Sequence, residues 1–131
     1  MSTKGIIGTW RMVESRARDD AGRPLPPSYG PMGLGLVMFH AAGRMMCVLS
    51  DGRPVLPEDE TAREYVSYGG SYTFDGKTLV TRVDVTSDPK RLGGDEVRQV
   101  RFEGERLVLA PPPRLWKGAT QHRELVWERI G

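Results

Sequence analysis

The chain has one cysteine, Cys47, so no disulfide can form within it, and its 131 residues must be held together by burial and hydrogen bonding. Asparagine is absent, and histidine occurs only at His40 and His122. With no closer ligand pair than His40 and Cys47, the spacing of a zinc site is missing, and neither a metal nor a cofactor is expected. No stretch reaches the apolar length that crosses a membrane, and Met1–Ile7 lacks the apolar centre of a secretory signal. These absences fit a soluble cytoplasmic protein with no membrane partner. Charge of one sign is missing too. The 19 basic residues face 17 acidic ones, giving +2 with no like-charged block, so nucleic acid is not an expected partner. What is abundant is arginine, 15 against 4 lysines. Genomic base composition explains that bias while leaving individual arginines free to read anions.

The rest is a series of short runs cut by turns. At this length one domain over residues 1–131 is expected, with a single core or cavity. Gly8–Arg18 alternates Trp10, Met12 and Glu14 against Arg11, Val13 and Ser15, and stops at Asp19-Asp20-Ala21-Gly22, the pattern of a strand and turn. Leu34–His40 and Arg44–Ser50 flank Ala41-Ala42-Gly43 as a hairpin. Ser71–Phe74, Thr78–Thr86, Glu96–Glu103, Arg106–Ala110 and Gln121–Ile130 complete eight strands, with tight turns at Asp75-Gly76 and Gly104-Glu105. Glu58–Tyr68 carries helix formers with acidic groups in its first turn and predicts one short helix, ended by a break at Gly69-Gly70. The fold class expected is all-β: an eight-stranded antiparallel up-and-down barrel, whose closure removes exposed edges. Trp10 and Trp127, near the two chain ends, argue that the first and last strands meet. Such an interior is filled by side chains or holds one small ligand.

Four segments in order carry a resemblance: Gly8-Thr9-Trp10-Arg11-Met12-Val13; Leu36-Val37-Met38-Phe39 with Ala42-Gly43-Arg44-Met45; Gly70-Ser71-Tyr72-Thr73-Phe74; and Leu125-Val126-Trp127-Glu128-Arg129. Together they resemble the bacterial lipocalin-like domain family of calycin-type barrels. In lipocalins the Gly-x-Trp tryptophan plugs the closed end and an arginine near the C-terminus packs on its indole. The resemblance thus implies that Trp10 and Arg129 are structural partners. It implies ligand binding as an analogy of fold. The chain departs from secreted lipocalins in lacking paired cysteines and a signal segment.

Few residues offer chemistry. If Trp10 points inward, a period of two carries Met12 and Glu14 inward with it, where an apolar cup raises a carboxylate's pKa and equips it to move a proton. The alternative is a rim position paired with an arginine. Tyr72, with Tyr65 and Tyr68 on the expected helix over the mouth, offers phenols to a flat, partly oxygenated ligand, or else serves packing. Arg98 shares a face with Val100 and Phe102, so one register brings a guanidinium into the cavity for an anionic or carbonyl-bearing ligand and the other sends it to solvent. Met32, Met38, Met45 and Met46 cluster around the second and third strands, as adaptable lining or as core filling. His40 and His122 are acid–base candidates by residue type alone. Gly30-Pro31-Met32-Gly33-Leu34-Gly35 leads into a strand and lacks the helix that cradles phosphate, and no Gly-x-Ser-x-Gly elbow occurs.

Three functions are compatible with these residues. The first is binding of a small hydrophobic or amphipathic molecule, with Met12, Met38, Tyr65, Tyr72, Arg98 and Phe102 as the ligand-binding set. The second is a cofactor-independent isomerase or cyclase acting on a polyketide- or terpenoid-like substrate, with Glu14, Tyr72 and His122 as the catalytic, proton-transferring groups. The third is a filled barrel serving as an interaction module, with an apolar patch outside. A homodimer is compatible with all three.

Overall fold

Nine strands follow one another antiparallel among the described residues, 5–60 and 62–131, of the computed structural model. They are β1 (Gly8–Arg18), β2 (Gly33–His40), β3 (Arg44–Asp51), β4 (Tyr65–Phe74), β5 (Thr78–Thr86), β6 (Asp95–Glu103), β7 (Arg106–Ala110), β8 (Arg114–Trp116) and β9 (Ala119–Arg129). Eight of them, β1 to β7 and β9, form a closed barrel: β1 pairs with β2 on one side and with β9 on the other. The short β8 folds back on the start of β9 as an extra hairpin, a strand that the stiff Pro111-Pro112-Pro113 segment concealed in the sequence. Closure is therefore made by the strands that carry Trp10 and Trp127, as their sequences imply.

The register shows what fills the barrel. Trp10 faces Arg129 and Met12 faces Trp127 across β1 and β9, and both tryptophans are fully buried. Val37, Phe39, Met45, Leu79, Val83 and Leu107 pack around them, so the half of the barrel nearest the chain ends is solid. Each such side chain contributes about 1.5–3 kcal/mol on burial.

A β-bulge then changes the phase of β1. Met12 pairs with Trp127 but Glu14 pairs with Val126, so Val13 is an extra residue and every later side chain switches face. Beyond it Ser15 and Ala17 share the inner face with Leu125 and Arg123, while Glu14, Arg16 and Arg18 lie outside. The expected inward Glu14 is corrected for this reason. Outside, Arg16 bridges to Glu14 at 3.2 Å and to Glu103 at 2.9 Å, and Arg101 reaches Glu103 and Glu124. This network lies over Val108 and Val126, two outward-facing residues of β7 and β9 that are nonetheless fully buried.

The expected helix over Glu58–Tyr68 is also corrected; Thr61 lies outside the described residues. Glu58 and Asp59 form a turn, and the chain enters β4 at Tyr65 with Val66 and Tyr68 buried and Tyr65 exposed. That alternation has the strand period, and the acidic residues before it are turn residues. Nor do Gly69 and Gly70 break the strand. They let β4 and β5 approach at a bulge, where a Cβ on Gly70 would meet the Arg82 carbonyl oxygen at 1.8 Å. Among the described residues the helical content is a 3-10 turn at Pro89–Arg91, capped by Asp88, whose side chain accepts from Lys90 N.

Candidate functional site

Beyond Trp127 the interior holds a small cavity of about 50 Å³, and a more open mouth of about 430 Å³ lies against it. The two chambers share Ser28, Tyr29, Val66, Arg91 and Arg123, which form the neck between them. Cys47, Leu49, Tyr68, Leu109 and Leu125 give the inner chamber apolar walls, and Arg98 adds a guanidinium there. Arg63, Glu64, Asp88 and Arg114 line the mouth.

Each charged group is placed by its strand or turn. Arg98 pairs with Leu79 and Glu96 with Thr81, both fully buried, so both β6 side chains point inward. Arg123 shares its face with Leu125 and Trp127 on β9 and pairs with Ala17. Arg91 ends the 3-10 turn. Ser28 and Tyr29 come from the proline-rich loop between β1 and β2, which folds over the open end. Gly52 N donates to Met32 O at 2.8 Å and Tyr29 N to Glu64 Oε1 at 3.3 Å. The buried Asp51 carboxylate holds Arg53 beneath this loop, and Arg53 reaches on to Glu60 at 2.8 Å.

Charge is unevenly shared. Glu96 accepts from Arg91 Nη1 at 2.8 Å and from Arg98 Nη2 at 3.2 Å, one carboxylate serving two guanidiniums. Among the described residues Arg123 has no carboxylate partner, and its guanidinium makes a long hydrogen bond to Pro112 O at 3.4 Å. Burial, with Arg114 and Arg98 close by, pulls its pKa down to about 10. Among the described residues four buried polar groups here also lack a hydrogen-bond partner: Arg123 Nε, Ser28 Oγ, Trp127 Nε1 and Arg91 Nε, the last 3.4 Å from Asp88 Oδ2. Burial raises the pKa of Tyr29 and of Tyr68, so both phenols stay neutral, and pushes the Cys47 thiol up to about 12.

The residues singled out from sequence are scattered around this site. Arg98 lies within it, and Tyr65 lines the mouth, on β4 instead of on a helix. Met12 is buried against the solid half of the core. Met38 is outside, on an exposed apolar stripe with Leu36, Met46 and Val48, because Val37 and Phe39 take the inner phase of β2. Phe102 and Trp10 border a separate recess of about 810 Å³ at the closed end, with ring centroids 6.5 Å apart. Trp10, 1% exposed, seals that recess from the interior, and Arg129 lies over its ring as the resemblance implies.

The three residues expected to transfer protons are not brought together. Glu14 lies on the outer face. Tyr72 packs edge-on against Phe39 near the closed end and donates to His40 O at 2.9 Å. His122 is exposed beside Asp20 at the opposite end of β1, roughly 30 Å away at the strand rise. His40 is exposed at the β2–β3 turn, its Nδ1 accepting from Ala42 N. Among the described residues no three His, Cys, Asp or Glu side chains are grouped as metal ligands, and no helix is long and apolar enough to cross a membrane.

Arg123 was legible in the sequence, since it is in phase with Leu125 and Trp127. Ser28, Tyr29 and Arg91 had no such signal, because they reach the neck from a loop and a turn without periodicity. A family model described as a lipocalin-like domain matches residues 7–130. No curated protein matches the chain.

Proposed function

The chain belongs to the lipocalin-like domain family, and from that premise we propose that it binds a small amphipathic molecule through the open end of its barrel. The observation that carries this reading is the two-chambered opening, apolar within and lined with polar groups at its neck. Size narrows the ligand. Pockets for small molecules run about 300–1,000 Å³, so the mouth holds the body of a ligand and the inner chamber admits only one end of it. A long lipid chain swallowed whole does not fit. Binding thus needs the neck side chains Tyr29 and Val66, with Tyr65 at the outer rim.

Titration with the uncharged fluorophore N-phenyl-1-naphthylamine tests the reading. Fluorescence enhancement that saturates at one probe per chain is expected. Val66→Phe, which crowds the neck, should weaken it at least tenfold, while Phe102→Ala at the closed end leaves it unchanged. Equal loss in both variants, or none in Val66→Phe, contradicts the reading.

A further inference from the structure

The neck is unusual in carrying more hydrogen-bond donors and positive charge than the protein itself can satisfy. Arg91, Arg98 and Arg123 reach the inner chamber from the 3-10 turn, β6 and β9, and the carboxylate among them, Glu96, is already shared by two of these guanidiniums. Among the described residues Arg123 lies near Arg98 and Arg114 with no acidic partner, and its Nε is buried and unpaired. Arg123 is half-buried with its Nε shut off from solvent, and holding a guanidinium there without a counter-charge is costly. Ser28 Oγ and Trp127 Nε1, both lining the same chamber, add two donors without partners. Among the described residues neither acidic residue of the mouth pairs with Arg123. Glu64 accepts from Tyr29 N, and Asp88 caps the 3-10 turn beside Arg91.

We propose that this neck binds the carboxylate of a small organic acid, with Arg123 as its main contact and Arg98 and Arg91 flanking it. The planar fork of a guanidinium matches a carboxylate through two parallel hydrogen bonds. The neutral phenol of Tyr29 supplies a further donor at the neck. The guanidiniums set the orientation: the acid group sits at the neck between Arg91, Arg98 and Arg123, and the apolar or aromatic body packs on Tyr29, Tyr65 and Val66. The inference deepens the reading of the open end as the binding site and rests on it.

Calorimetric titration of the full chain with octanoate and with 1-octanol separates the two ideas. Octanoate is expected to bind the wild-type protein at least tenfold more tightly than the alcohol. In Arg123→Gln that preference should vanish, through weaker octanoate binding with octanol affinity unchanged within twofold; Arg123→Lys should retain part of it. Arg82→Gln, which removes one exposed charge on β5 away from the neck, should behave as wild type and controls for general electrostatic attraction. If octanol binds as tightly as octanoate, the open-end site stands and the carboxylate assignment is overturned. An effect of Arg123→Gln no larger than that of Arg82→Gln overturns it too. If neither probe binds wild-type protein, the open-end reading fails and the assignment fails with it.

Discussion

The guanidinium of Arg129 lies 4.3 Å from the centroid of the Trp10 ring, joining the last strand to the first. It also donates to the carbonyls of Gly5 and Ile7, and Trp10 Nε1 donates to Ile6 O at 2.9 Å. Gly8, at φ +133°, makes room for this arrangement, since a Cβ there would collide with the guanidinium. Replacing Arg129 by Ala removes a cation over an aromatic face and two backbone hydrogen bonds, a loss of about 1–3 kcal/mol. Urea unfolding measures it, and Arg129→Lys should recover part. A loss below about 0.5 kcal/mol contradicts the closing role.

Arg123 is expected to stabilise a ligand at the cost of the empty fold. Its pKa is lowered to about 10, so between there and its ordinary value near 12.5 the folded chain binds fewer protons than the unfolded one. By linkage, folding stability from this group rises with pH across that window and is lowest where Arg123 is charged. Arg123→Met should therefore raise the melting temperature at neutral pH by about 2–4 °C while weakening octanoate binding to the level of octanol. A lower melting temperature would mean that the charge is compensated.

The outer ion network should make stability sensitive to acid. Hydrogen bonds from Arg16 and Arg101 hold Glu103 down to about 2 from its ordinary 4.5. A carboxyl depressed in the folded state stabilises above its unfolded pKa, and that contribution is lost as pH falls from about 4.5 toward 2. Urea midpoints at pH 6 and pH 2.5 should fall less in Glu103→Gln than in wild type. Identical falls would show that the network does nothing for the two valines beneath it.

Cys47, buried in the inner chamber wall and with a thiol raised to about 12, should resist a thiol reagent at pH 8 in the folded protein and react fully in urea. Rapid labelling of native protein would show that the inner chamber is open to bulk solvent.

Strand positions and barrel closure were legible because alternation and turn chemistry are local. The phase of β1 beyond Met12 was not, because one bulged residue reverses every later side chain without altering the sequence pattern. Tyr65 and Tyr68 looked helical because the acidic stretch before them resembles a helix start, yet tertiary pairing with β3 and β5 prevails over local propensity. At the site, alternation pointed to Arg98 and was available for Arg123. Ser28, Tyr29 and Arg91 converge through loop packing, which leaves no period to read.

Everything proposed for this protein rests on a ligand sitting in the open end of the barrel. Backbone amide shifts in a ¹⁵N-labelled sample titrated with octanoate test it most directly. The largest changes should fall on Tyr29, Val66, Tyr68, Arg91, Arg123 and Leu125, with Trp10, Phe102 and Arg106 at the closed end unmoved. Shifts concentrated instead around Phe102, Arg106 and Glu128, or spread evenly over the surface, would contradict it.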